Sequence, residues 1–126
     1  MSWSGFSKDE VLAIHDASLK KFGGLSGIRD LVLLDSALAQ PFQTFDGVEL
    51  YPSDVEKAAR YAYGICKNHP FIDGNKRTAT ACMATFLRMK GYTFKPDPND
   101  LLEIMMKLAA GLLSYNELIS WIKNQL

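Results

Sequence analysis

The same helix-start signal occurs three times in this chain, and it constrains the fold more than any other feature. In each copy a serine is followed three residues later by a glutamate, the pattern of a capping box, at Ser7, Ser53 and Ser114. Apolar residues at helical spacing follow each serine. The sequence therefore predicts three helices, the first ending at Gly23 and the second near Asn68.

Three more helices are predicted between these, over residues 31–40, 75–90 and 98–110. Each has a capping aspartate or a glycine before it and a proline or a glycine after it. The helix over 75–90 carries apolar residues on more than one face, which indicates a central and mostly buried helix. The predicted class is all-α, with about six helices in a single domain over residues 1–126.

One segment, Phe42–Leu50, departs from this helical pattern. It places Asp46-Gly47 between two short alternating runs, which is a strong signal for a two-residue hairpin turn. A lone two-stranded hairpin is barely stable by itself. We therefore expect it to project from the helical body with an exposed strand edge.

Composition narrows the class of function. Acidic and basic residues balance at 14 each, which does not favour DNA or another polyanion as the main ligand. The first residues do not resemble a signal peptide, and no apolar run approaches the about 20 residues that span a bilayer. The two cysteines have no metal-like spacing. We expect a cytoplasmic protein that binds neither membrane nor nucleic acid.

The segment 69–78, with the sequence HPFIDGNKRT, carries the chemistry. Gly74 provides freedom for a turn, after which Asn75, Lys76 and Arg77 occupy the first turn of a helix. Cations at a helix N-terminus are unfavourable by roughly 0.3–1 kcal/mol each, because the helix dipole is positive there. An anion such as a di- or triphosphate would explain their presence.

The other polar residues of this segment fit transfer of a phosphate-containing group. Asp73 is a hard oxygen ligand of the kind that Mg²⁺ prefers, and His69 could accept a proton from a hydroxyl. Asn75 could donate to a phosphoryl oxygen, and Arg77 could bind phosphate in a bidentate manner. Phe71 is predicted to hold the loop against the core.

These residues resemble the signature of the Fic/Doc (Fido) family, and in particular its Doc branch of death-on-curing toxins. The branch pattern H-x-F-x-[DN]-[AG]-N-K-R is matched throughout, and residues 15–41 resemble the family's N-terminal region. The resemblance covers about residues 7–115. It implies the all-helical Fido fold, with the motif between two central helices. It also implies a hairpin flap that docks the target chain, formed by Thr44, Phe45, Asp46, Gly47 and Val48.

The resemblance also implies a particular reaction through Lys76. The AMP-transferring branch has glycine at this position, whereas the Doc branch binds ATP in the reversed sense and phosphorylates a threonine of elongation factor Tu. The implied substrate is ATP with Mg²⁺, and the implied enzyme is a protein kinase that blocks translation. AMP transfer remains the alternative, since Pro70 and Gly74 are also found in the AMP-transferring branch.

A partner is implied as well. Many Fic proteins carry an inhibitory helix with the pattern [S/T]-x-x-x-E-[G/N], and no glutamate of these 126 residues has a serine or threonine four positions earlier. We therefore expect a separate Phd-like antitoxin whose disordered segment folds into a helix on this protein. A second alternative is a non-catalytic protein that serves as the antitoxin's corepressor.

Overall fold

A computed structural model describes residues 3–126, which form six α-helices, one 3-10 turn and one hairpin. The elements are α1 Lys8–Phe22, α2 Leu31–Ala39, the 3-10 turn Gln40–Phe42, β1 Thr44–Phe45, β2 Val48–Glu49, α3 Asp54–Asn68, α4 Asn75–Met89, α5 Pro98–Ala109 and α6 Tyr115–Asn124. Within this part of the chain, no helix combines the length and the apolar character needed to cross a membrane. The all-α prediction is confirmed.

The helices begin where the capping residues predicted. Ser7, Ser53 and Ser114 each accept a hydrogen bond from the glutamate backbone three residues on, and each glutamate accepts one in return. Asp30 and Asp97 cap α2 and α5 through their carboxylates. Hydrogen bonds within a four-residue segment are thus enough to define where these five helices begin.

The end of α2 differs slightly from the expectation of a simple stop at Pro41. The α-helix ends at Ala39, and the chain then continues as the 3-10 turn Gln40–Phe42, with the proline near its start. Proline is tolerated there because the first turn of a helix does not need its missing N–H group. This turn leads directly into the hairpin.

The pair α3 and α4 forms the centre of the molecule, with α1 packed on α4 and α2 and α6 packed on α3. Within α4 only Arg77, Arg88 and Met89 are exposed, so the prediction of a mostly buried helix is confirmed. α3 is buried to a similar degree, which the sequence did not indicate. The residues that the pair contributes to the core include Ala58, Ala62, Ile65, Ala79, Cys82, Met83, Phe86 and Leu87.

The predicted hairpin is present, with strands of two residues each. Phe45 pairs with Val48, and the turn residues Asp46 and Gly47 have φ angles of 52° and 77°. Positive φ at both central positions is the mark of a type I′ turn, which Asp-Gly favours. The side chains of Phe45 and Val48 are 75% and 67% exposed. The hairpin therefore presents apolar groups to solvent.

Candidate active site

A cleft of about 470 Å³ lies where α3 ends and α4 begins. It is lined by Cys66, His69, Ile72, Asp73, Gly74, Asn75, Lys76 and Arg77, and by Ala109 of α5. Residues that the sequence assigned to proton transfer, metal binding and phosphate binding are therefore brought together. The hairpin residues 44–48 are not part of this lining.

The N-terminus of α4 is open to the cleft. Its N-cap Gly74, with φ 79°, makes no side-chain cap, whereas a side chain caps each of the other five α-helices of residues 3–126. The first backbone N–H to bond back into the helix is that of Thr78, which donates to Gly74 O at 3.0 Å. The N–H groups of residues 75–77 therefore have no intrahelical acceptor and favour an anion.

Two cations lie on this first turn. Neither Lys76 nor Arg77 forms an ion pair within residues 3–126. The Arg77 guanidinium lies 4.3 Å from the centre of the Phe22 ring at the end of α1, a cation–π distance. The positive charge of this turn is therefore not neutralised by a carboxylate contact in the described chain, and an anionic ligand would be attracted.

Asp73 is held as an anion beside this turn. Its Oδ2 accepts a hydrogen bond from Leu25 N at 3.1 Å, and its Oδ1 accepts one from Gly74 N at 2.9 Å. The Leu25 bond, the Gly74 bond and the charge of Arg77 hold the pKa of the Asp73 carboxyl below its usual value. The side chain stays exposed, so the remaining lone pairs of both oxygens can reach a cation.

Asp73 is the single carboxylate among the residues that line this cleft and could bind a metal ion. No group of three or more His, Cys, Asp or Glu side chains arranged for a metal ion occurs in residues 3–126. Mg²⁺ is commonly held by one or two carboxylates with substrate phosphates and water. The ionised Asp73 beside an anion pocket fits that mode, in which the metal would arrive with the nucleotide.

His69 follows the last residue of α3 in a left-handed conformation, with φ 50° and ψ 54°. A residue before a proline is disfavoured in the right-handed α region, and this restriction alone does not select the left-handed region. Its backbone N–H still donates to Ile65 O at 3.0 Å, and its side chain is exposed at the cleft. Within residues 3–126 the imidazole forms no hydrogen bond, so both nitrogens are available to a substrate.

Asn75 does not match the expectation that its side chain donates to a phosphate. Its Oδ1 accepts from Phe71 N, and its Nδ2 donates to Phe71 O, both at 2.9 Å, while the residue is 6% exposed. The amide bonds the motif loop because the buried Phe71 peptide groups would otherwise lack partners. The contribution of Asn75 to an anion pocket is then its backbone N–H.

His15 of α1 packs against the same loop. Its ring stacks on Phe71 with 3.8 Å between centroids and 8° between planes, and its Nε2 lies 2.8 Å from Asp73 O. Because a carbonyl only accepts, Nε2 carries the hydrogen. The anchoring of the buried Phe71 is confirmed. No local sequence signal pointed to the bond between His15 and Asp73, which are 58 residues apart.

The cleft continues into a second cavity of about 670 Å³, with Cys66 and Ala109 in the lining of both. This second cavity is bounded by Tyr63 and Lys67 of α3, by residues 108–114 and by Glu117. Its lining therefore combines an aromatic residue of α3 with the C-terminal end of α5 and the loop that follows. The shared residues place the two cavities next to each other.

Comparison with known proteins agrees with this geometry. A model of the Fic/DOC family matches residues 5–87, and the chain belongs to that family. A protein named Toxin Doc from Mycolicibacterium smegmatis (strain ATCC 700084 / mc(2)155) is 45% identical over 76 residues, which are 60% of this chain and 58% of that relative. Protein kinase doc from Escherichia phage P1 is 28% identical over 117 residues, which are 93% of this chain and 91% of that relative. Both relatives are Doc proteins, as the motif indicated.

Proposed function

We propose that this protein is the toxin of a toxin–antitoxin pair and transfers the γ-phosphate of ATP to a threonine or serine hydroxyl of a translation protein in the cytoplasm. The observation that carries the proposal is the cleft itself. It combines an uncapped helix N-terminus with an ionised Asp73. It also contains two cations without an ion pair and a His69 imidazole without a hydrogen bond, both as judged within residues 3–126.

The size of the site supports a nucleotide rather than a simple phosphate. A triphosphate seated on the first turn of α4 leaves the adjoining cavity of about 670 Å³ for the nucleoside. Tyr63 of α3 and residues 108–114 line that cavity. An aromatic ring can stack on a base, so this lining supports a nucleoside beside the phosphates.

His69 serves as the general base in this reaction. The imidazole accepts the hydroxyl proton as the target oxygen attacks the γ-phosphorus; the new O–P bond forms, the bond to the bridging oxygen breaks, and ADP leaves. Lys76, Arg77 and the backbone N–H groups of residues 75–77 offset the charge on the phosphoryl oxygens. Because these donors belong to the first turn of α4, they are already in position before the reaction begins.

Mg²⁺ bound with the nucleotide would supply further charge compensation at the phosphates. Asp73 would hold it, because its carboxylate is ionised and is oriented by Leu25 and Gly74. His15 keeps this position by bonding the Asp73 carbonyl.

Lys76 favours γ-phosphate transfer over AMP transfer. Its side chain lines the cleft where a glycine would leave only backbone beside the phosphates. A relative aligned along 93% of this chain carries the name Protein kinase doc, which also supports a kinase. AMP transfer is the competing reaction of the same fold.

The hairpin is the proposed docking element for the target. Its strands expose Phe45 and Val48 together with an unpaired strand edge, which can pair with an extended segment of another chain. The target proposed is elongation factor Tu. The toxin name of one relative supports an antitoxin partner, which we propose to be Phd-like.

The test is incubation with elongation factor Tu and ATP labelled at either the α- or the γ-phosphate. Label from the γ-position with Mg²⁺ supports the kinase, and label from the α-position supports AMP transfer. His69→Ala should abolish labelling. The matched control is His15→Gln, which changes the other histidine of the chain but keeps an N–H donor toward Asp73 O.

Absence of label from both positions would refute an enzyme acting on this target. Growth arrest that persists in the His69→Ala variant would then favour the non-catalytic corepressor. Label from the γ-position on a different protein of a ribosome-free extract would support the kinase activity and would identify another target.

A further inference from the structure

The left-handed conformation of His69 is an unusual state for a residue with a side chain. Within residues 3–126 only Asp46, in the hairpin turn, shares a positive φ angle among residues other than glycine. Such conformations are strained and persist where surrounding contacts impose them, often at active sites. The contacts that impose this one come from a segment about forty residues earlier in the chain.

Arg29 makes those contacts with its side chain. Its Nε donates to His69 O at 2.6 Å, and its Nη2 donates to Asn68 O at 2.8 Å. These carbonyls lie at the C-terminus of α3, where backbone acceptors lack helical partners and the dipole is negative. One planar guanidinium therefore satisfies two adjacent acceptors and fixes the peptide plane that follows His69.

Backbone hydrogen bonds near Arg29 also connect its segment to the motif loop. Arg29 N and Asp30 N both donate to Pro70 O, at 2.7 and 3.0 Å, and Ile72 N donates to Gly27 O at 3.1 Å. The segment Gly27–Asp30 thus runs alongside the loop that carries the catalytic motif. The side chain of Arg29 adds the two bonds that reach back to α3.

We propose that Arg29 is a positioning residue of this site. Its guanidinium holds the His69 backbone left-handed and thereby directs the imidazole into the cleft. Arg29 is not among the residues that line the cleft, so it acts through His69 and not on the substrate.

The first test is kinetic, and it rests on the proposed phosphotransfer. Arg29→Met keeps the apolar stem and removes the donors, while Arg29→Lys keeps a charge but cannot serve two carbonyls in one plane. We expect Arg29→Met to lower kcat by about tenfold or more, since misplacement of a catalytic group by a fraction of an ångström has effects of this order. KM for ATP should change less than twofold. Arg29→Lys should recover part of kcat.

Arg88→Met is the matched control. Arg88 is also exposed and donates from Nη2 to a backbone carbonyl, that of Phe94 at 3.0 Å, but it lies at the far end of α4. The Arg88→Met variant should leave kcat unchanged. Equal losses for Arg29→Met and Arg88→Met would overturn the proposal.

A second readout is independent of activity. The ¹³Cα and ¹³Cβ chemical shifts of His69 report its backbone conformation, and they should leave the left-handed range in Arg29→Met only. Unchanged shifts would overturn the proposal even if kcat fell. If the wild-type protein transferred no phosphate, the proposed function would fail, and these shifts would still decide the role of Arg29.

Discussion

Replacing Asn75 by alanine tests whether this residue supports the motif loop or binds the substrate. In the structure both polar atoms of the side chain bond the backbone of Phe71, and the residue lines the cleft with little exposure. Alanine would leave the Phe71 N–H and C=O groups without these partners. The expected result is a less stable protein in the absence of any nucleotide.

The magnitude follows from the two groups that lose partners. A buried polar group left without a partner costs about 1–3 kcal/mol, and water from the adjoining cleft can reduce this. We therefore expect Asn75→Ala to lower the free energy of unfolding by about 2–4 kcal/mol. For a domain of this size the melting temperature should fall by roughly 6–15 °C.

The assay is urea unfolding followed by tryptophan fluorescence, since Trp3 and Trp121 both pack against the core. The neighbouring Lys76→Ala is the matched control. Removing a cation from a helix N-terminus should leave stability unchanged or raise it by about 0.3–1 kcal/mol, while phosphate transfer falls. The two neighbours should therefore separate stability from activity.

The opposite pattern would refute this reasoning. If Asn75→Ala unfolded at the wild-type urea concentration and only raised KM for ATP, the amide would be a phosphate ligand. The hydrogen bonds to Phe71 would then contribute little to the fold.

Three further outcomes are expected. Because the folded-state pKa of Asp73 lies below 3.8, its ionised form contributes stability that is present above pH 3.8 and is lost as the pH falls through the lowered pKa. The stability difference between wild type and Asp73→Asn, from urea unfolding, should therefore be largest at neutral pH and shrink under acid conditions; a pH-independent difference would contradict this. Burial raises the pKa of the Cys66 thiol to about 11, so alkylation by iodoacetamide at neutral pH should be roughly a hundredfold slower than for a free cysteine, and equal rates in the folded and urea-unfolded protein would be the contrary result. Lys76→Gly should lose labelling from γ-labelled ATP and gain it from α-labelled ATP, and unchanged γ-labelling would show that this side chain does not select the phosphate.

The sequence by itself determined the elements of this protein. Capping boxes at Ser7, Ser53 and Ser114, and the Asp46-Gly47 turn, are each complete within a few residues, so their hydrogen bonds form wherever the chain places them. The start of α4 at Asn75, with Lys76 and Arg77 in its first turn, was predictable because Gly74, which adopts a positive φ angle, directly precedes it. Because the motif residues are consecutive in the sequence, the motif alone predicted where the cleft lies.

Only the tertiary structure decided how that motif is held. Arg29 reaches His69 across 40 residues, His15 reaches Asp73 across 58, and the Leu25 backbone reaches the Asp73 carboxylate across 48. Contacts between segments so far apart depend on how the helices pack, and no local pattern contains that information. Even Asn75, four residues from Phe71, turned inward because burial of the Phe71 peptide groups required partners. Burial exists only once the chain has folded.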